Sequence, residues 1–150
     1  MPDREPTIQV FNRQRVVPLD AAALQEFAER ALRECLKLPR RNSDELSGLH
    51  ELSVILVSDR RMAELHRRFL QEAGPTDVIT FQHGEIFVST ETARRQARHF
   101  ATSLEQELRL YIAHGLLHLH GFDDKTPSAA AEMKRAQEKL VDRALRRSIR

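Results

Sequence analysis

The chain has 150 residues, 41% of them apolar and 31% charged, with a formal net charge of +2. That composition suits one soluble domain able to bury a core without staples. No apolar run approaches the roughly 18 residues of a membrane-spanning helix, and so small a net charge does not by itself argue for nucleic acid.

Residues 7–11 alternate and predict a first strand. Asp20 then caps a helix whose apolar face is Leu24, Phe27, Ala28, Ala31, Leu32 and Cys35, stopped by Pro39. Residues 40–48 are polar and read as a loop. The nearly continuous apolar run 52–57 predicts a central strand covered on both faces. Ser58 or Asp59 starts a second helix with Met62, Leu65 and Phe69 inward, and Gly74-Pro75 breaks the chain. Two short strands follow, 77–81 and 85–88, joined at Gln82-His83-Gly84. Ser89 or Thr90 begins a third helix ending near Phe100.

Ser103 and Gln106 have the form of a capping box opening a helix to His120. Its inward residues are Leu104, Leu108 and Ile112, while Tyr111, His114 and His118 line another face. Thr126-Pro127 opens the last helix, because proline suits a first helical turn. Its core face is Met133, Gln137, Leu140, Val141 and Leu145. The arginines at 143, 146, 147 and 150 read as a solvated basic face, and with no tryptophan an aromatic base-stacking platform is not indicated. The fold class expected is α+β with mixed strands, in a single domain over residues 1–150. About five helices would pack on a small four-stranded mixed sheet, with the site on a central helix and its following turn. Cys35 is the lone cysteine and the charged start Met1-Pro2-Asp3-Arg4-Glu5 leads into no apolar signal core, so a cytoplasmic location is expected.

His114 and His118 stand one turn apart, roughly 40° around the helix axis, so both imidazoles reach one point. Gly121 permits a sharp turn after the helix, and Asp124 can then offer a carboxylate to the same point. Three converging ligands with one position open form the arrangement of a catalytic metal site. Asp123 competes for the third place or caps the turn; the spacing favours Asp124. The spacing also matches the extended zinc-protease pattern, but the base expected directly after the first histidine is replaced by Gly115, which argues against a peptidase. His120 points away from the pair and reads as a surface or supporting histidine. Glu107 lies on the ligand side two turns earlier and reads as a surface or capping carboxylate rather than a base. His83 reads as a plain turn residue.

At this point the chain resembles the YbeY endoribonucleases. Their signature HGxLHLxGYDH is matched by HGLLHLHGFDD over residues 114–124, and their PTDVLSFP…GDI by Pro75 to Phe81 with Gly84-Glu85-Ile86. Glu107-Leu108, Met133 and Glu138 are further similarities, and the likeness spans roughly residues 50–141. Two positions depart: the family's third zinc histidine falls on Asp124, and a family arginine falls on Leu70.

The resemblance implies a zinc-dependent endoribonuclease cutting single-stranded RNA in ribosomal RNA end maturation and ribosome quality control. One Zn2+ per chain would sit on His114, His118 and Asp124. Its partners would be ribosomal RNA and the ribosome or ribosomal proteins. Two imidazoles and a carboxylate suit zinc but also nickel, cobalt or manganese. Arg67 and Arg68 are the candidate RNA-holding cations, with Arg67 one turn before Leu70. Thr76 and Asp77 either belong to the site or form a strand-entry turn. The competing reading is a metal-stabilised ribosome-assembly factor that binds RNA or a ribosomal protein without cutting.

Overall fold

The computed structural model describes residues 5–39, 41, 46–70 and 77–146, with the side chains of Ser47 and Leu70 left aside. Four strands, β1 (Thr7–Asn12), β2 (Glu51–Val57), β3 (Val78–Phe81) and β4 (Glu85–Ser89), form one sheet in the order β1-β2-β4-β3. β1 and β4 run parallel to β2, and β3 pairs antiparallel with β4 along the far edge. The hairpin between β3 and β4 closes at Gly84, whose φ of 106° is open to glycine at little cost. The helices are α1 (Ala21–Leu36), α2 (Asp59–Leu70), α3 (Thr90–His99), α4 (Leu104–Leu119) and α5 (Pro127–Leu145), with a short 3-10 turn at Leu46–Gly48.

Alternation along the strands divides the core in two. Ile8, Leu52, Val54, Leu56, Ile86 and Val88 project to one face and meet α1 and α4, with α5 behind them. Val57 and Ile79 project to the other, where Met62 and Leu65 of α2 cover them. The caps form as the side chains dictate. Asp20, Ser89 and Thr126 each accept a backbone N–H of the helix they open, and Ser103 with Gln106 completes a reciprocal capping box. All six residues assigned to the apolar face of α1 are buried.

Two inward assignments need correction. Phe69 is 55% exposed, its ring edge-on to Phe81 at 5.5 Å. Leu145 is 42% exposed, and Ala144 is buried in its place. Each lies in the last turn of its helix, where a periodic stripe continues but the sheet or neighbouring helix beneath it does not. Pro75, Thr76, Arg147, Arg150 and the Leu70 side chain lie outside the described residues, as does most of the polar segment after Pro39.

Candidate metal centre

The site is built on α4, the most enclosed helix of the fold. Leu108, Ile112, Leu116 and Leu117 are all fully buried, which fixes the helix against rotation. Gly115 brings it close to the sheet: a Cβ there would lie 2.6 Å from Cγ2 of Ile86 on β4. The position a zinc protease uses for its base is thus pressed against the Ile86 side chain, with no room for a carboxylate. On the opposite flank His114 and His118 are half-buried, their ring centroids 4.5 Å apart.

The helix ends as a glycine-terminated helix should. Gly121 has φ 101°; its N–H donates to the His118 carbonyl at 3.0 Å, and the Phe122 N–H donates to that of Leu117 at 2.9 Å. His120 is the C-cap and α4 stops at Leu119. Phe122 then anchors the turn: its ring is buried, and Arg41, which also pairs with Glu132, lies 3.7 Å above it. The anchored turn swings the next residues toward the histidines. Asp123 accepts the Lys125 N–H at 3.0 Å and stabilises the bend. Asp124 joins the pair, and one ligand atom from each of His114, His118 and Asp124 lies within 4.8 Å of the other two. A single divalent ion can span such a set, and two imidazoles with one carboxylate are donors that zinc accepts.

Protonation suits this use. Burial, followed by the charge of His114, holds the His118 imidazole below the usual histidine value, against the opposing pull of Asp124, the Phe122 backbone and Asp123. His118 is therefore neutral at pH 7, the form that ligates metals. Burial, with the Asp77 and Glu107 charges, raises Tyr111, so its phenol stays protonated.

A cleft of about 350 Å³ opens over the three side chains, between α4, edge strand β3 and the turn. That is the small end of ligand pockets, which run from roughly 300 to 1,000 Å³. Val78, Thr80, Gln82 and Lys125 complete its wall. Thr80 Oγ1 is buried and has no hydrogen-bond partner among the described residues. An unpaired buried hydroxyl costs about 1–3 kcal/mol, a cost that rotation of the side chain toward the cleft would relieve.

Other candidates fall elsewhere. Arg67 and Arg68 are exposed near the end of α2 and are not in the cleft wall; among its described residues the cation is Lys125. Glu107 is buried at 6% exposure, not a surface group, and accepts the Thr102 hydroxyl at 2.8 Å. His120 is buried at 1% exposure rather than on the surface, with Nε2 3.0 Å from the Leu38 carbonyl oxygen. It therefore ties the helix end to the segment after α1. His83 is exposed, pairs with Glu85 and stays out of the cleft. Asp77 is exposed, and its carboxylate accepts the Val78 N–H at 2.8 Å, as in a strand-entry turn. Gln137, assigned to the core face of α5, instead meets His114 Nδ1 at 2.5 Å. A polar residue within an apolar stripe was the one signal that set it apart. Thr80 carried no signal of its own.

The Endoribonuclease YbeY family model matches residues 9–144. The chain belongs to the YbeY family. A protein named Endoribonuclease YbeY from Frankia alni is 37% identical over 117 residues, covering 65% of this chain and 65% of the relative. One from Synechococcus is 39% identical over 116 residues, covering 67% and 68%. A third, from Myxococcus xanthus, is 38% identical over 110 residues, and that match spans 37% of the relative. The chain thus matches about two thirds of the first two YbeY relatives and well under half of the third. The solution structure of a Thermotoga maritima protein superimposes with a TM-score of 0.65 at 28% identity, covering 92% of this chain and 89% of that one.

Proposed function

We propose that this YbeY-family protein is a metal-dependent endoribonuclease, one domain over its 150 residues, that acts on ribosomal RNA in its maturation and quality control. The observation that carries the reading is the three-ligand cluster of His114, His118 and Asp124 at the floor of an open cleft. The family match supports the substrate class. Zinc is the ion we assign, on the donor set; the lone buried thiol of Cys35 suits the cytoplasm and its ribosomes. No helix of the described residues is long and apolar enough to cross a membrane.

When bound, a divalent ion supplies a Lewis acid that offsets phosphate charge and makes water more acidic. The chain's own groups do the rest. His114 and His118, carried on a buried helix, hold the centre within the tolerance that catalysis requires. Asp124 lowers the net charge of the site relative to three imidazoles, which moderates that acidity. Lys125 on the rim attracts the phosphodiester backbone, a contact that positions RNA without reading its sequence. Thr80, on the cleft wall, rotates its hydroxyl outward to donate to a phosphate oxygen entering the cleft. Arg67 and Arg68 serve as outlying backbone contacts for a longer strand.

The test uses purified protein and a ribosomal RNA fragment. Cleavage should vanish after chelation and return with added zinc. Equal background cleavage by native and chelated protein, at unchanged RNA affinity, would instead make the protein a non-cutting assembly factor.

Thr80→Val separates chemistry from folding. Valine keeps the shape and removes the unpaired hydroxyl, so the thermal unfolding free energy should stay level or rise by about 1 kcal/mol. RNA cleavage should fall about tenfold, the loss of one hydrogen bond of about 1.4 kcal/mol. A variant both fully active and no less stable would remove Thr80 from the substrate contacts.

A further inference from the structure

We propose that Gln137 is a positioning residue for His114: its side-chain oxygen accepts the Nδ1 proton and leaves Nε2 as the atom that binds the metal. The proposal rests on the metal-centre reading above. Its geometry is direct, since Oε1 of Gln137 lies 2.5 Å from His114 Nδ1. α5 supplies this contact from 23 residues away, through the packing of α5 on α4.

A neutral imidazole carries its proton on one nitrogen, and whichever nitrogen carries it cannot ligate. Left alone in a cleft, His114 would divide between the two forms, and only one suits a metal. An acceptor fixed at Nδ1 selects the form with Nε2 free and sets the plane of the ring. The His114 imidazole is thus held from behind by a distant helix.

Packing alone does not account for a glutamine here. Gln137 follows Met133 and precedes Leu140, both buried, on the stripe by which α5 meets the core. Leucine would fill that place with less desolvation cost than an amide. The amide is also uncharged, so it orients the ring without adding a second negative charge beside Asp124.

The experiment compares the full-length native protein with Gln137→Leu and Gln137→Glu. Nitrogen-15 NMR of the metal-free proteins reads which His114 nitrogen bears the proton, and competition with a chromogenic chelator reads the affinity for zinc alone. In the native protein the proton should sit on Nδ1. Gln137→Leu should lose that preference and bind zinc about 10–100-fold more weakly, while unfolding at the same or a higher denaturant concentration. Gln137→Glu, which keeps an acceptor, should restore both the tautomer and the affinity. A native His114 with its proton on Nε2, or a leucine variant with unchanged tautomer and affinity, would overturn the proposal. Failure of the native protein to take up zinc would overturn the metal reading and this role with it. Zinc uptake combined with the wrong tautomer would overturn this role alone.

Discussion

His118→Ala should bind zinc about 100–1,000-fold more weakly than the native protein and show no RNA cleavage above background. The magnitude follows from one ligand's share of the roughly 10–16 kcal/mol measured for four-ligand zinc sites, at about 1.4 kcal/mol per tenfold. Alanine suits a helix interior, and the side chain removed is only half-buried. The metal-free fold should therefore change by about 1 kcal/mol or less. Isothermal titration with zinc and a denaturant melt of the same sample separate the two effects. Zinc affinity within threefold of native would mean that the histidine pair does not share an ion. A collapsed fold would mean that His118 serves chiefly as packing.

Gly115→Ala should destabilise α4, although alanine is the better helix former. In an open helix Gly→Ala gains about 1 kcal/mol from propensity. Here the added methyl would meet Cγ2, Cδ1 and Cγ1 of Ile86 at 2.6, 3.0 and 3.1 Å. Ile86 is fully buried in β4, paired with Val54 on one side and Thr80 on the other, so it has little room to yield. Overpacking of this kind costs about 1–3 kcal/mol. With three close contacts the steric cost exceeds the propensity gain, and Gly115→Ala should lose about 1–2 kcal/mol.

Gly115→Glu, which writes the zinc-protease base into the chain, should lose about 4 kcal/mol or more, because it also buries an unpaired carboxylate. Urea denaturation reads both. An alanine variant as stable as native would show that α4 stands farther off the sheet than these contacts allow. The pair also bears on the site: the Ile86 side chain leaves no space for a carboxylate at position 115.

Much of the molecule was legible from local rules. The stripe Leu24, Phe27, Ala28, Ala31, Leu32, Cys35 is a short-range pattern, and the side chains it selects are buried. The caps at Asp20, Ser103 and Thr126 depend on backbone donors three residues away. The convergence of His114, His118 and Asp124 was written in the same way. Helical rise stacks the imidazoles, and Gly121 reverses the chain within three residues of the aspartate.

Contacts between distant elements were not legible. Nothing near Gln137 in the chain says that it will meet His114, and nothing near Gly115 says that Ile86 will press against it. The exposure of Phe69, the burial of His120 and the unpaired hydroxyl of Thr80 likewise depend on where α2, α4 and β3 come to rest. Periodicity says which face of an element turns inward. Which residues face it across the core is set by register and packing between elements tens of residues apart, and there the support and the substrate side of the centre were assembled.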